Sequence, residues 1–345
     1  MTVKVLVNGV GAIGKRVAHA VRLQKDMTLA GVSDVSATAV LRSVLDGPLK
    51  GVKLYASLPE AQNTLAEAGL NPEGTLEEVL ASGEIDVVVD ATPAGIEEKN
   101  KGLYEKYNVK QVYEGGAKAS IAEVSFNANV NYLESFNKKS TRVVSCNTTS
   151  LARTIGAIKQ NFDVRRAIVS LVRRAVDPWD ARKGPINAIV PVLPLPSHHG
   201  PDLQTIIHDL RVETMAVKVP TTLAHTHMVA VELKADAEKE KVKEILSNTP
   251  RVLLLKGSDG YSDTALIIER FRDLLRPRYD MYETVIWDES VTVEEDTVYW
   301  MHAVHSEAIV IPENIDAIRA ITGIEEDPMR SIKMTNESLG IFGKP

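Results

Sequence analysis

The glycines near the start of the chain constrain its fold more than any other feature. Residues 9–14 read Gly-Val-Gly-Ala-Ile-Gly and match G-x-G-x-x-G, which turns tightly between a strand and a helix and can receive a pyrophosphate at the helix N-terminus. Val3–Val7 is an apolar run typical of a buried strand, and apolar residues at helical spacing follow Gly14. Asp34 ends the next predicted strand, 20 residues after Gly14, where a carboxylate can bind ribose hydroxyls and repel a 2′-phosphate. The sequence therefore predicts a dinucleotide-binding βαβ unit that favours NAD, with NADP as the alternative cofactor.

The same glycines also fit a second nucleotide-binding motif. Gly9–Lys15 satisfies G-x-x-x-x-G-K, the phosphate loop of ATPases and GTPases. That loop needs Ser or Thr at the next position to hold magnesium, and this chain has Arg16. A P-loop nucleotide-binding protein is therefore an alternative from a different functional class.

Length and periodicity predict two domains. The 345 residues suffice for two cores at about 150 residues each. Up to about residue 145, strand-like runs alternate with helical patterns, which predicts an α/β fold with a Rossmann-type, doubly wound parallel sheet. Later strands often alternate polar with apolar residues, which predicts an α+β catalytic domain with a mostly antiparallel sheet. We place the dinucleotide-binding domain at residues 1–145 and the catalytic, substrate-binding domain at 146–311, with Gly184–Pro201 as a long proline-rich loop.

Charge and cysteine usage exclude several classes of function. The 40 basic and 46 acidic side chains give a net charge of −6, which argues against a nucleic-acid partner. A single cysteine forms no intramolecular disulfide and no cysteine-ligated zinc site, as is typical of proteins in a reducing cytosol. The first predicted strand begins within three residues of Met1, and no apolar run approaches the ~20 residues that a membrane helix needs. We therefore expect a cytoplasmic protein without a membrane partner.

Cys146 lies where a reactive thiol is expected. It follows a predicted strand, Arg142–Ser145, and precedes a helical pattern, which places it at or near a helix N-terminus. There the helix dipole and free N–H groups stabilise a thiolate. Its neighbours, Asn-Thr-Thr-Ser, are small and polar, which is unusual for a cysteine that only fills a core. The position predicts a nucleophile.

Histidines and arginines supply candidate partners for this nucleophile. His225 and His227 form an H-x-H in an extended segment, where both rings point the same way and could serve as a base or suit a metal. His198-His199 lies in the proline-rich loop, and loops of that length often border a site. Arg173-Arg174 ends a predicted strand, where a guanidinium could clamp a phosphate or form a surface or interface salt bridge.

These residues lie within blocks that resemble one enzyme family, the archaeal-type (type II) phosphorylating glyceraldehyde-3-phosphate dehydrogenases. The blocks span nearly the whole chain: Val7–Arg16, Ser145–Thr149, Arg173-Arg174, Lys183–Asn187, Pro196–His199, Pro220–Leu223 with His225, Pro312–Arg319 and Thr335–Gly340. The resemblance implies oxidation of D-glyceraldehyde 3-phosphate, with NAD(P) and inorganic phosphate, to 1,3-bisphosphoglycerate through a cysteine thioester, a step of glycolysis and gluconeogenesis.

The resemblance also implies roles for single residues. Cys146 is the implied nucleophile and His225 the implied general base, with no metal ion. The implied substrate and phosphate contacts are Ser145, Asn147, Thr148, His198 and His199. Together with Asp34 from the glycine motif, the expected cofactor contacts are Gly9, Gly11, Ala12, Ile13, Gly14, Gly116, Arg174 and Ser306. The family further implies a homotetramer whose C-terminal helices, residues 312–345, pack back on the nucleotide domain.

The chain departs from the family's pattern at two positions. Asp34 stands where the family often has a lysine and tends towards NADP, so the charge argument favours NAD. Ser306 stands where the family has a glutamine that contacts nicotinamide, and it could keep that contact only through its shorter side chain or a water. Another cysteine-dependent aldehyde or semialdehyde dehydrogenase, such as an aspartate-semialdehyde or N-acetylglutamyl-phosphate enzyme, is the alternative with the same chemistry. Such an enzyme needs a carboxylate-binding arginine, which Arg173-Arg174 could supply.

Overall fold

The computed structural model describes residues 2–114, 116–177 and 183–341, and the chain divides into two compact units. Unit 1 comprises Met1–Ser145 and Ile311–Leu339, and unit 2 comprises Cys146–Val310 and Gly340–Pro345. The described strands are β1 (Val3–Asn8), β2 (Met27–Asp34), β3 (Leu54–Ala56), β4 (Val87–Asp90), β5 (Lys110–Tyr113), β6 (Val124–Phe126), β7 (Ser140–Val143), β8 (Val164–Arg174), β9 (Val190–Pro191), β10 (Val212–Val219), β11 (His225–Leu233), β12 (Val252–Leu255), β13 (Thr284–Trp287), β14 (Thr292–Glu294) and β15 (Thr297–Val304).

The helices complete the two units. Those in the described ranges are α1 (Gly14–Arg22), α2 (Ala39–Asp46), α3 (Pro59–Glu67), α4 (Leu76–Ala81), α5 (Glu97–Lys106), α6 (Cys146–Asn161), α7 (His199–Gln204), α8 (Lys239–Asn248), α9 (Thr264–Asp273), α10 (Ile311–Thr322) and α11 (Pro328–Leu339). None of these helices combines the length and the apolar character needed to cross a membrane.

Unit 1 contains a parallel sheet. Its seven described strands lie in the order β3-β2-β1-β4-β5-β7-β6, and each described pair is parallel. The order extends outward in both directions from β1 and β4, as in a doubly wound sheet. Within β4, the valines of residues 87–89 are fully buried, as expected for a strand covered on both faces. The predicted Rossmann-type fold is confirmed.

The last two helices belong to unit 1 and are tied to its first strands. Arg319 of α10 is almost fully buried, and its guanidinium pairs with Asp26, just before β2, at 2.7 Å. The same guanidinium donates to the side-chain oxygen of Gln24 and the hydroxyl of Thr335 on α11. Removing the carboxylate partner of a buried ion pair costs about 3–5 kcal/mol, so this arginine fixes α10 beside the α1–β2 connection.

Unit 2 contains a mixed, mostly antiparallel sheet in the order β12-β13-β15-β11-β8-β10-β9, with β14 on β15. Among the described pairs, only β8–β10 and β12–β13 are parallel. Along β11 every second residue is buried, starting with His225 and His227, because successive side chains of a strand point to opposite faces. The predicted α+β architecture is confirmed.

Two predicted boundaries are wrong. The predicted loop Gly184–Pro201 contains β9, because Val190 and Pro191 pair with the edge of β10, a position where proline is tolerated. The same segment ends in the first turn of α7. The predicted strand Arg142–Ser145 ends at Val143, and two residues then lead into α6.

Candidate active site

Cys146 is the first residue of α6, which confirms its predicted position at a helix N-terminus. Its side chain is partly exposed. The sulfur lies 3.6 Å from Nε2 of His225 and 3.3 Å from the hydroxyl oxygen of Ser306. The backbone N–H of Asn147, the next residue, lowers the pKa of this thiol. Two side chains that are distant in sequence therefore converge on one thiol.

His225 opens β11 with its ring against the thiol. Its Nδ1 accepts the backbone N–H of Arg174 at 2.9 Å. Burial lowers the pKa of His225 well below its usual value, and the charges of Arg174 and Arg173 lower it further, so the ring is neutral at pH 7. A neutral imidazole carries one proton, and since Nδ1 accepts, the proton is on Nε2, which faces the sulfur.

The thiol differs from the expectation of a stabilised thiolate. Burial raises the pKa of Cys146 above its ordinary value, because a thiolate is poorly solvated there. The hydroxyl of Ser306, then the charges of Arg173 and Arg174, and the N–H of Asn147 lower that pKa, but less than burial raises it. The helix N-terminus alone therefore does not produce a thiolate at neutral pH.

The two arginines at the end of β8 have different surroundings. The guanidinium of Arg174 donates to Asp177 at 2.6 Å and to the carbonyl oxygen of Val176, and lies 3.6 Å from Glu307. Nε is buried without a hydrogen-bond partner in the described part of the chain in both arginines, but the described residues give Arg173 no counterpart to the bonds that the terminal nitrogens of Arg174 make. Arg173, His225 and Ser306 line one cavity of about 300 Å³. Arg173 is therefore the arginine with binding capacity left over.

The predicted phosphate contacts differ in their exposure and in their hydrogen-bond partners. The residue His198 as a whole is exposed, but partial desolvation of its ring and then the charge of Arg173 lower its pKa. His199 is buried, with Nε2 3.4 Å from the amide of Asn147 and Nδ1 3.0 Å from the hydroxyl of Ser197. The hydroxyl of Thr148 is buried and donates to Asp202 at 2.5 Å. Ser145 directly precedes α6 and is half-buried.

The glycine loop lies in unit 1, between β1 and α1. Gly9 has φ +91°, and a Cβ there would lie 2.9 Å from the carbonyl oxygen of Ala91. A Cβ on Gly14 would lie 1.7 Å from the carbonyl oxygen of Gly9, so the third glycine is required by close packing. A Cβ on Gly11 would meet no described atom within 4 Å. The space at Gly11 is thus open to a ligand, as G-x-G-x-x-G requires.

Asp34 ends β2 beside this loop. One carboxylate oxygen accepts the N–H of Val10 at 2.8 Å, and the other accepts the N–H groups of Val35 and Ser36. Ala12 and Ile13 form the turn before α1, and Gly116 is exposed after β5. The donor set and the open space fit a dinucleotide.

Similar proteins agree with this geometry. Residues 145–294 match the family described as glyceraldehyde 3-phosphate dehydrogenase, C-terminal domain. The chain is 49% identical to the glyceraldehyde-3-phosphate dehydrogenase of Pyrococcus abyssi, over 99% of this chain and all of that protein. The enzymes of the same name from Thermococcus sibiricus and Methanopyrus kandleri are 48% and 47% identical, each over 99% of this chain and at least 99% of the relative. The chain belongs to the glyceraldehyde-3-phosphate dehydrogenase family. Members of this family are NAD(P)-dependent oxidoreductases that act on an aldehyde.

Membership in the glyceraldehyde-3-phosphate dehydrogenase family sets the P-loop alternative aside, and the loop itself agrees. At the position where a P-loop needs a magnesium-binding hydroxyl, Arg16 is buried and donates to the carbonyl oxygen of Ala12 at 2.8 Å. The metal reading of the H-x-H also gains no support. Residues 2–114, 116–177 and 183–341 contain no group of three or more His, Cys, Asp or Glu side chains placed to hold a metal ion.

Sequence reasoning missed several features of this dehydrogenase-family site. It did not place the hydroxyl of Ser306 on the sulfur, and it did not predict that Arg174 is paired with Asp177. It also gave no role to His302, whose Nε2 lies 3.0 Å from Nδ1 of His227. The alternation of β11 signals that His227 is buried with His225, but nothing local in the sequence signals His302.

Proposed function

We propose that the chain is a phosphorylating glyceraldehyde-3-phosphate dehydrogenase that oxidises D-glyceraldehyde 3-phosphate to 1,3-bisphosphoglycerate. One observation carries this proposal beyond family membership. Cys146, at a helix N-terminus, is contacted by a neutral histidine and a hydroxyl beside a cavity that an arginine lines. This arrangement can form a thioester and hold an anion next to it.

Cys146 is the nucleophile in this proposal. After the thiol loses its proton to solvent, the sulfur bonds to the aldehyde carbon, and the carbonyl electron pair moves to oxygen. When bound, NAD(P) supplies a two-electron hydride acceptor. Loss of hydride from the carbon leaves a thioester on Cys146. A phosphate oxygen then attacks that carbonyl, the carbon–sulfur bond breaks, and the acyl phosphate leaves as the thiolate returns.

His225 has a role that the hydrogen-bond direction refines. The sequence predicts a general base. Because the neutral ring carries its proton on Nε2, we propose that it donates a hydrogen bond, first to the thiolate and then to the alkoxide oxygen of the thiohemiacetal. The same donor would hold the oxyanion that forms when phosphate attacks the thioester. Stabilising an oxyanion by a fixed donor contributes about 2.7–4 kcal/mol in comparable sites.

We assign the anion contacts first to Arg173 and His198. Arg173 has a buried nitrogen without a partner among the described residues, and His198 is exposed. After burial, the charge of Arg173 lowers the pKa of His198, and after burial and His198 it also lowers the pKa of His199, in keeping with a cation at this site. Four other predicted contacts hold the surroundings of this anion site and do not offer it free donors. They are Ser145, Asn147, Thr148 and His199. Arg174, already paired, is retained as a proposed cofactor contact.

The cofactor is proposed to bind at the glycine loop of unit 1. Gly9 and Gly14 shape the turn, Gly11 leaves the space, and Asp34 offers a carboxylate to the ribose hydroxyls. Ala12, Ile13 and Gly116 complete this set, with Ser306 as a further candidate. The negative charge of Asp34 favours NAD over NADP.

Two apolar surfaces of unit 2 support a homotetramer. Met215, Met228 and Met301 are each at least 40% exposed and lie in one row across the sheet, through Ser170 of β8. The loop around Ile186 and Leu193 is also apolar, and these two side chains are 82% and 72% exposed. A tetramer with two kinds of interface between identical copies could bury both. We also propose a cytoplasmic location, as the single cysteine suggests.

An NAD-reduction assay of the full-length protein tests the proposed function. We expect sustained reduction with glyceraldehyde 3-phosphate and inorganic phosphate, and at most a single turnover per Cys146 when phosphate is omitted. Aspartate semialdehyde and N-acetylglutamate semialdehyde serve as comparison substrates, and NADP as comparison cofactor. Faster turnover with either semialdehyde would overturn the substrate assignment, and preference for NADP would overturn the role of Asp34.

A further inference from the structure

Three aromatic side chains that the proposed mechanism does not use form a connected group that reaches Asn147, the residue after Cys146. His227 of β11 and His302 of β15 are directly opposite in the register of these antiparallel strands, and Trp300 precedes His302 by two residues on the same face. All three are essentially fully buried. Their polar atoms are connected, at 3.1 Å from Nε1 of Trp300 to Nδ1 of His302 and at 3.0 Å from Nε2 of His302 to Nδ1 of His227.

The hydrogen bonds between these groups have a defined direction. An indole nitrogen can only donate, so Nδ1 of His302 accepts from Trp300. Burial lowers the pKa of His302 to about 3 and that of His227 well below its usual value, so each ring is neutral and carries one proton. His302 must therefore donate from Nε2, His227 must accept at Nδ1, and His227 must donate from Nε2 to the Oδ1 of Asn147, 2.9 Å away.

The same order of donor and acceptor continues through the side chain of Asn147. Its Oδ1 is used by His227, so its amide nitrogen faces Nε2 of His199, which accepts. His199 then donates from Nδ1 to the hydroxyl of Ser197, and that hydroxyl donates to Thr214 at 2.8 Å. The hydroxyl of Thr214 donates to the carbonyl oxygen of Ser197 at 2.9 Å, where the chain of bonds ends in an acceptor.

Ser150 does not interrupt this direction. Its hydroxyl lies 3.2 Å from Nδ1 of His227, but it also lies 2.8 Å from the carbonyl oxygen of Asn147, to which it donates. The chain thus begins at a group that can only donate, the indole, and ends at one that can only accept, a carbonyl. Only one orientation of the Asn147 amide satisfies every member.

We propose that Trp300, His302 and His227 are positioning residues, which fix the side chain of Asn147 and so hold the start of α6, where Cys146 lies. Asn147 is the second residue of α6, directly after Cys146, and its side-chain oxygen accepts the hydrogen bond from His227. A fully satisfied buried network holds its members in one arrangement, whereas a network that can reverse allows two. This inference rests on the proposed function, because it gives the fixed start of α6 a task in the thiolate chemistry.

The tautomers of the histidines test the chain without any assay of turnover. In the intact protein labelled with 15N-histidine, long-range 1H–15N correlation spectra at pH 7 report which ring nitrogen carries the proton. We expect Nε2–H for His227 and His302 and Nδ1–H for His199, each assigned by its own His→Gln variant. A charged His302, or Nδ1–H on His227, would overturn the proposal even if the enzyme assay succeeds.

Variants at the donor end test the positioning role. Trp300→Phe removes the indole N–H, so both directions become accessible and the Asn147 amide can flip. We expect kcat to fall about fivefold to tenfold, as for one lost hydrogen bond of about 1 kcal/mol, and the pH midpoint of Cys146 alkylation to rise, with KM for NAD unchanged. Trp287→Phe is the matched control, because it removes another indole donor of unit 2, bound to the carbonyl oxygen of Tyr261 at 2.7 Å.

The final comparison separates positioning from packing. His302→Gln keeps a donor near the position of Nε2, whereas His302→Leu removes it at similar volume. We expect kcat to fall less than about threefold in the Gln variant and about tenfold in the Leu variant. The pH midpoint of Cys146 alkylation should shift only in the Leu variant. Equal losses in both variants, or an unshifted midpoint in Leu and in Trp300→Phe, would overturn the positioning role.

Discussion

The two units build their candidate sites from different parts of the polypeptide. In unit 1, three glycines within six residues shape a backbone turn, and one carboxylate at the end of β2 completes it. In unit 2, the contacts of one sulfur come from residues up to 160 positions apart, carried by a helix, a strand and the turn after β15. A backbone site is encoded locally, whereas a side-chain site depends on strand register. Changes in one unit should therefore leave measurements on the other unchanged.

The largest expected effect is the loss of oxidation in Cys146→Ser. A serine hydroxyl at this position lacks the acidity and nucleophilicity of a thiol, so we expect kcat to fall by about four decades or more. Binding of NADH, followed by quenching of tryptophan fluorescence, should remain within about twofold of the unmodified protein. A serine variant with substantial activity would refute the nucleophile assignment, and loss of NADH binding would refute the independence of the two sites.

A smaller loss is expected at His225, and it distinguishes two roles. His225→Gln keeps an N–H near the position of Nε2, whereas His225→Asn is too short to keep it. If the ring donates to the oxyanion, the Asn variant should lose about two to four decades in kcat and the Gln variant about one. Equal losses in both would instead support the general base that the sequence predicts. If His227→Asn caused the large loss and His225→Asn did not, the roles of the two histidines would be exchanged.

These contrasts explain how much could be predicted from the sequence. The glycine turn, the βαβ order and the helix start at Cys146 follow from local patterns of spacing and were predicted. The partnership of His227 with His302 requires the β11–β15 register, which no local pattern reveals. The raised pKa of Cys146 requires knowledge of burial, and burial is a property of the whole unit. Resemblance to a family supplied His225, but it assigned Ser306 to the cofactor rather than to the thiol.

In unit 1, two glycine substitutions should differ from each other in a defined way. Gly14→Ala forces a Cβ against the carbonyl oxygen of Gly9, so we expect a lower melting temperature and about a hundredfold weaker NAD binding. Gly11→Ala meets no described protein atom, so we expect an unchanged melting temperature with NAD binding weakened about tenfold or more, because the methyl group occupies ligand space. Both should leave alkylation of Cys146 unchanged. Full NAD affinity in Gly11→Ala would place the pyrophosphate elsewhere.

The smallest expected effect concerns Ser306, and it decides between the two roles offered for that residue. Its hydroxyl, 3.3 Å from the sulfur, lowers the pKa of Cys146 by donating to the thiolate, so its removal should raise that pKa. Only the thiolate reacts with iodoacetamide, and a higher pKa reduces its fraction below the midpoint and moves the alkylation profile to higher pH. In Ser306→Ala we expect a rise of about one pH unit, equivalent to about tenfold slower alkylation at pH 7, measured without NAD. Ser306→Thr retains the hydroxyl and is the matched control, expected to stay near the original midpoint. If Ser306→Ala instead leaves the midpoint unchanged and raises KM for NAD, the residue serves the cofactor, and the thiol keeps His225 as its one proposed side-chain partner among the described residues.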